Sequence, residues 1–292
     1  MFPRAFDYHV PATIGETLEQ LAADPEETKV LAGGHSLLPM MKLRLASPRR
    51  LLDLRKLRGE LAYTRAANGG LALGALTTYH DLARAPEVGQ RCPVLAEAAS
   101  AVGDLQVRNR GTIGGSLAHG DPAADMPAVM LALDAQLEAQ SPQGSRRIAA
   151  ADFFQGLYTT ALAPTELLTT IYVPAPPARA GASYAKFRNP ASGYAVVGVA
   201  ALVALDTAGK IAMARVGITG VNDHAYRAAA VEQALVGVEP TPEALAAAAA
   251  HAADGVDPLE DVYASADFRR HLTRVQTERA LRQAVERARA MA

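Results

Sequence analysis

A single cysteine, Cys92, stands in a chain of 292 residues, and it removes whole classes of architecture at once. One thiol cannot close an intrachain disulfide, complete a cysteine-rich zinc site or hold an iron–sulfur cluster. The fold must therefore rest on apolar burial, and any redox chemistry must use a bound organic cofactor or a cluster on another chain. Apolar residues are plentiful: they make up 50% of the chain against 20% charged, and the length suits two or three small cores better than one. With 29 basic and 30 acidic residues the formal net charge is −1, so no global field draws in nucleic acid or anionic lipid. There is no tryptophan, and 9 tyrosines with 6 phenylalanines give few platforms for base stacking. The longest apolar run that invites a membrane reading, Tyr194 to Leu205, is well short of the ~20 residues a spanning helix needs. Met1-Phe2-Pro3-Arg4 lacks the charged-then-apolar pattern of a secretory signal, so a cytoplasmic protein is expected.

The order of local patterns predicts mixed helices and strands. Thr13 and Glu16 have capping-box spacing and start a helix near Ile14. Lys29-Val30-Leu31 reads as a short buried strand and leads directly into Ala32-Gly33-Gly34-His35-Ser36-Leu37. Arg50 to Leu54 and Leu71 to Ala75 read as strands, Tyr79 to Ala83 and Leu95 to Val102 as helices. A glycine-rich loop is expected over Arg108 to Ser116, followed by a helix from about Met126 to Ala132. A further strand, Leu167 to Val173, is stopped by Pro174. Residues 174–182 form a linker by composition. Beyond it, Tyr194 to Leu205 and Ile211 to Ile218 flank Asp206-Thr207-Ala208-Gly209-Lys210, a hairpin signal. Thr241-Pro242 caps a helix, and Phe268 to Arg289 is a long arginine-rich one. No internal repeat is present.

Two Gly-Gly segments carry the chemistry. A glycine after a strand lets the backbone turn and approach a ligand closely, and consecutive N–H groups in such a turn make a concave anion site suited to a phosphate. Gly33-Gly34-His35-Ser36 has this form, and Thr112-Ile113-Gly114-Gly115-Ser116 repeats it with hydroxyls on both sides of the glycines. One such segment alone is more often just a turn; two, each before a helix-prone stretch, point toward a bound phosphate or pyrophosphate. Neither G-x-G-x-x-G nor G-x-x-x-x-G-K-[ST] occurs, so a dinucleotide here is held in a non-Rossmann way.

Ala32-Gly33-Gly34-His35-Ser36-Leu37-Leu38-Pro39, Arg110-Gly111-Thr112-Ile113-Gly114-Gly115-Ser116-Leu117-Ala118-His119 and Asp121-Pro122-Ala123-Ala124-Asp125 together resemble the FAD-binding medium subunits of the molybdenum hydroxylases. That family includes carbon monoxide and xanthine dehydrogenases. The likeness extends over essentially the whole chain. Lys186-Phe187 leading to Gly193-Tyr194-Ala195 is similar to the family's Lys…Asp-Tyr-Ala stretch, and Asp261 to Leu272 to the signature of its C-terminal domain.

The resemblance implies an α+β protein. It has the two-subdomain FAD-binding fold of the vanillyl-alcohol-oxidase and molybdenum-hydroxylase flavoproteins, over residues 1–57 and 58–176. A C-terminal domain of a small antiparallel sheet and helices follows over 177–292. It implies FAD between the two subdomains, its pyrophosphate on Ala32, Gly33, Gly34, His35 and Ser36 and on Gly111, Thr112, Ile113, Gly114, Gly115 and Ser116, with the amides of Gly33, Gly34, Gly114 and Gly115 bearing the negative charge. It places Asp125 at the ribityl hydroxyls, Leu37 and Leu168 near the flavin, and Lys186 and Tyr194 beside the isoalloxazine. One position departs: Gly193 stands where the family has aspartate. The function implied is electron transfer, from [2Fe–2S] clusters of a small partner subunit through FAD to a quinone, oxygen or NAD. Substrate is then oxidised on a large molybdopterin subunit, and the assembly is a dimer of heterotrimers. Such an assembly is cytoplasmic, or peripheral at the inner membrane face through its partners. No catalytic residue and no metal ligand is expected on this chain.

Two other readings are open on the residues alone. One is a self-contained flavin oxidase of the vanillyl-alcohol-oxidase type, for which the C-terminal region is small and alanine-rich. The other is a non-catalytic assembly protein that uses the glycine segments to bind a nucleotide or only as turns. Among single residues, Asp125 could cap the helix after it, His80 and Asp81 fit capping better than catalysis, and Lys186 could be an ordinary surface residue. His35 and His119 lack partners at metal-ligand spacing. Cys92 has no activating neighbour.

Overall fold

The computed structural model describes residues 2–291; Met1, the head of the N-terminal segment, and Ala292 lie outside them. The chain begins with β1 (Asp7–His9), β2 (Thr28–Leu31) and β3 (Arg50–Asp53), a parallel sheet in the order β1-β3-β2. The helix Ile14–Ala23 crosses from β1 to β2. It starts where the capping box places it: Thr13 Oγ1 accepts the Glu16 amide at 3.1 Å, and the Glu16 carboxylate accepts the Ala12 amide at 2.7 Å.

The middle of the chain supplies β4 (Thr64–Ala67), β5 (Gly70–Gly74), β6 (Gln136–Ser141), β7 (Gly144–Ala149), the small hairpin of β8 (Phe154–Gly156) and β9 (Thr159–Thr160), and β10 (Leu167–Val173). Five of these form an antiparallel sheet in the order β4-β5-β10-β6-β7. Its inner face meets the helices Tyr79–Arg84, Pro93–Ala101 and Asp125–Ala132. Leu73, Leu82, Leu95, Met126, Met130, Leu137, Phe153 and Ile171 make that core.

The last sheet is antiparallel: β11 (Ala180–Arg188), β12 (Ala195–Leu205), β13 (Ile211–Thr219) and β14 (Tyr226–Arg227) in chain order. Every residue of β12 is buried, which is why its sequence is continuously apolar rather than alternating. The helix Ala266–Ala290 and the helix Asp125–Ala132 both pack against it. The expected linker is shorter than its composition suggests, because β11 begins at Ala180; small residues there pair with β12 instead of staying free.

Arg269 fastens this last unit to the segment that carries Asp125. Its side chain is buried, with Nη1 donating to the carbonyls of Val196 (2.7 Å) and Gly220 (2.6 Å) and Nη2 to Asp261 (2.6 Å). Gly220 in turn donates to the Pro122 carbonyl, and Thr219 Oγ1 donates there and to the Ala124 carbonyl. Arg269→Met strands two buried carbonyls, at about 1–3 kcal/mol each, so a loss of about 2–4 kcal/mol in urea unfolding at neutral pH is expected. Burial would raise Asp261, but the Tyr263 and Ala264 amides and the Arg269 guanidinium outweigh it and hold the carboxyl below its usual range. A carboxylate depressed in the folded state stabilises above its unfolded pKa and loses that contribution as pH falls through the folded one. The gap between wild type and Arg269→Met therefore narrows in acid.

Candidate functional site

A cavity of about 380 Å³ runs between the end of β2, the helix Ile113–His119 and the segments around Val102, Asp121, Leu168 and Tyr194. That volume is in the range of small-molecule sites. Ala32, Gly33, Gly34, His35, Ser36, Leu37, Gly111, Thr112, Gly114, Gly115, Ser116, Asp125, Leu168 and Tyr194 all line it. Ile113 and Lys186, also expected there, do not. Ile113 is fully buried in the core below the cavity, and Lys186 stands behind Asp125.

The first glycine segment behaves as its sequence suggests. Gly34 has φ +77°, a left-handed conformation that glycine adopts without penalty. Gly33 lies against the next unit so closely that a Cβ would overlap the Arg110 carbonyl oxygen and stand 3.0 Å from Gly111 Cα. Glycine is thus required at this seam by the approach of two backbones. Among the described residues the amides of Gly33, Gly34, His35 and Ser36 have no protein acceptor, which leaves them available to a ligand. His35 Nδ1 is 3.3 Å from the Gly33 carbonyl and the ring is exposed.

The second glycine segment differs from expectation. Residues 108–116 are not one loop: the helix Leu105–Arg110 ends at Gly111, and Thr112 caps the helix Ile113–His119. The amides of that cap are spent inside the protein. Ile113 donates to Thr77 (3.0 Å), Gly114 to Ala75 (2.9 Å), Gly115 to Thr112 Oγ1 (3.2 Å) and Ser116 to the Thr112 carbonyl (3.1 Å). The amides of Gly114 and Gly115, which the resemblance assigns to the phosphates, are thus already paired within the protein. Gly114 is small because the helix is seated against Ala75 of the middle unit, where a Cβ would collide with backbone and side chain. What this segment offers the cavity is the hydroxyls of Thr112 and Ser116 and the positive end of a short helix.

Asp125 is the buried charge of the site. Ala124, not Asp125, holds the cap position of the helix Asp125–Ala132, so the carboxylate does not cap; it is bound laterally. Lys186 Nζ lies 2.8 Å from Oδ1 and 3.0 Å from Oδ2, and also donates to the Ala101 carbonyl at 3.0 Å. Tyr184, on the same face of β11, donates its hydroxyl to Oδ1. Burial pushes the Asp125 carboxyl up, while the Lys186 charge and the hydrogen bonds from Lys186 and Tyr184 pull it down; the net direction is upward. The contacts of both carboxylate oxygens with one ammonium are those of an ion pair. Lys186 is no surface residue: its side chain is 7% exposed.

Farther along, burial raises Asp121, opposed by the Ala123 amide and by His119. The same burial lowers His119, whose ring stands 5.0 Å from Tyr158. The half-exposed Tyr194 is pushed up to about 12 by burial and by the charge of Asp121, and stays a neutral phenol. Gly193, the departure from the expected aspartate, has φ +75°, with Arg188 Nη2 only 3.1 Å from where a Cβ would stand. Thr78 caps the helix Tyr79–Arg84 by accepting the Asp81 amide, the structural role expected for that segment. Burial pushes the Cys92 thiol up to about 11, so it is unreactive as thiolate. No group of His, Cys, Asp and Glu among the described residues could hold a metal ion, and no helix there is long and apolar enough to cross a membrane. Sequence reasoning gave no site role to Tyr184, Tyr79, His119 or Asp121, although His119 and Asp121 stand in the motifs that carry the resemblance. Tyr184 left a signal too, its i,i+2 spacing from Lys186 on one strand.

Comparison with known proteins gives the family. Residues 4–176 match the FAD binding domain in molybdopterin dehydrogenase, and residues 182–284 match the CO dehydrogenase flavoprotein C-terminal domain. The carbon monoxide dehydrogenase medium chain of Afipia carboxidovorans is 40% identical over 100% of this chain and 99% of its own length. The 6-hydroxypseudooxynicotine dehydrogenase complex subunit alpha of Paenarthrobacter nicotinovorans is 38% identical over 99% and 97%. A solved carbon monoxide dehydrogenase from Hydrogenophaga pseudoflava, lacking the Mo-pyranopterin moiety of its molybdenum cofactor, contains a chain that superposes with a TM-score of 0.95. That chain is 41% identical, with 98% of this chain and 99% of that one covered. The architecture expected from the residues, α+β and non-Rossmann, is the one these relatives share, and the chain belongs to the FAD-binding medium subunits of the molybdenum hydroxylases.

Proposed function

We propose that FAD lies extended along the cavity, with its pyrophosphate at the Gly33–Ser36 amides and its flavin toward Leu168 and Tyr194. The observation that carries this reading is the pairing of unspent amides at one part of the wall with a buried carboxylate at another. The residues fit the group: free N–H donors suit phosphate oxygens, Thr112 and Ser116 add hydroxyls, and Asp125 offers an acceptor to a ribityl hydroxyl. Leu37 covers the apolar side, and Tyr194 offers a ring to stack. In this reading residues 1–57 and 58–176 are the two halves of the FAD domain and 177–292 its C-terminal companion.

FAD, when bound, supplies a carrier that exchanges electrons singly or in pairs. The chain's own residues bind it, exclude water from one face and set the charge around it. In this reading no nucleophile or general acid is asked of this chain. The electrons come from [2Fe–2S] clusters on a small subunit, after substrate oxidation on a large molybdopterin subunit, in a cytoplasmic dimer of heterotrimers. They leave to an external acceptor of the quinone, oxygen or NAD type.

The test is turnover with and without partners. The chain co-expressed with its small and large subunits reduces an acceptor dye when substrate is added, whereas the chain alone keeps its flavin and oxidises none of carbon monoxide, purines, aldehydes or aromatic heterocycles. Substrate oxidation by the lone chain would contradict the relay and favour a self-contained oxidase.

A further inference from the structure

Tyr184 deepens the cofactor reading, on which this inference rests. Tyr184 and Lys186 alternate on one face of β11, and both reach Asp125. The Tyr184 hydroxyl sits in space left by Gly198 of β12, where a Cβ would overlap it. That hydroxyl is fully enclosed and is held far from ionisation, first by burial and then by the Asp125 charge. It can only donate. Lys186 can only donate as well. Asp125 therefore receives donors at both oxygens, with Oδ1 bound twice and Oδ2 once. A carboxylate has about four acceptor sites, so capacity remains, and Asp125 is the buried acid of this trio that lines the cavity.

We infer that Tyr184 is a positioning residue of the cofactor site: with Lys186 it fixes Asp125 as a rigid, acceptor-only carboxylate whose remaining capacity serves a hydroxyl of the polyol chain in the cavity. Lys186 acts through Asp125 too. Its charge is met by the carboxylate and by the Ala101 carbonyl, so this stretch of wall is close to neutral rather than a cationic pole. Selectivity follows from the chemistry. A ligand with a polyol chain gains from the fixed acceptor, and one without it does not.

The test uses the full chain and two ligands, FAD and ADP, titrated by calorimetry against wild type, Tyr184→Phe, Asp125→Asn and the double variant. Tyr184→Phe keeps the ring in its space and removes one donor. Its FAD affinity is expected to fall about tenfold, within the span of couplings seen between residues of one hydrogen-bond network, with ADP affinity unchanged. In the Asp125→Asn background the same change is expected to have no further effect. An equal loss for ADP, a full loss persisting in the Asn background, or unaltered FAD affinity in Tyr184→Phe would overturn the positioning role. Should Tyr184→Phe fail to fold, Asp125→Asn alone carries the decision, with FAD weakened and ADP not if the inference holds, and both or neither weakened if it does not. A wild-type chain that binds ADP but no FAD, or neither, would instead overturn the cofactor reading beneath it.

Discussion

Lys186→Met is expected to destabilise the fold by about 3–5 kcal/mol at neutral pH, because it leaves Asp125 buried without its counter-charge. The methionine keeps the length of the stem, so packing along β11 survives and the effect isolates the ion pair. Its pH dependence has a defined sign. Burial already pushes the Asp125 carboxyl up, and loss of Lys186 moves it further in the same direction. A carboxyl whose folded pKa exceeds its unfolded value weakens the fold as pH rises between the two, and the loss is complete above the folded pKa. Lys186→Met is therefore closest to wild type in mild acid and farthest from it at alkaline pH, as read by urea unfolding. Replacing both partners, Lys186→Met with Asp125→Asn, should recover most of the loss, since the cost lies in the orphaned charge. A Lys186→Met variant equally destabilised at every pH would show that the lysine contributes packing alone.

Gly33→Ala is expected to weaken cofactor binding strongly. The new Cβ overlaps a backbone carbonyl, that of Arg110, and backbone cannot swing aside as a flexible side chain can. Forcing such a contact costs typically about 1–3 kcal/mol. Because the strain falls on the seam that positions the Gly33–Ser36 amides, it should appear mainly in FAD affinity, as a loss of about ten- to hundredfold. Gly209→Ala is the control. Gly209 has a positive φ, +82°, in the β12–β13 turn, and nothing lies near its Cβ position. It should lower stability by about 1 kcal/mol and leave FAD affinity unchanged. Fluorescence titration separates the two; equal FAD affinity in both variants would remove the seam from the account.

Much of this fold is legible because its signals are local. Pro174 ends β10 at Val173, Thr13 and Thr241 cap the helices that follow them, and the turn at Asp206–Lys210 joins β12 to β13 as written. The errors arise where tertiary packing overrides local preference. Two consecutive glycines disfavour a helix, yet Gly114 and Gly115 are helical, because Thr112 caps the segment and Ile113 and Leu117 bury one side of it. The alanine- and proline-rich stretch at 174–182 looks like a linker, yet Ala180 opposes Ala204 and Gly181 opposes Val203 in the sheet. The site divides in the same way. The residues that line the cavity sit in contiguous motifs and could be named from them. The partnership of Asp125 with Lys186 and Tyr184 joins positions about sixty residues apart and depends on the side chains of β11 reaching the first residue of the helix Asp125–Ala132, which no local pattern encodes. Lys186 was accordingly expected in the cavity and is found one layer behind it.

Flavin content measures directly whether FAD occupies this chain. The complex purified from cells is denatured, and the released flavin is identified by chromatography and quantified against the chain. One FAD per chain, lowered in Gly33→Ala and, once stripped from the wild-type complex, restored by added FAD but not by FMN, is the predicted result. A complex with no flavin that FAD cannot reconstitute, or one that releases FMN, would contradict it.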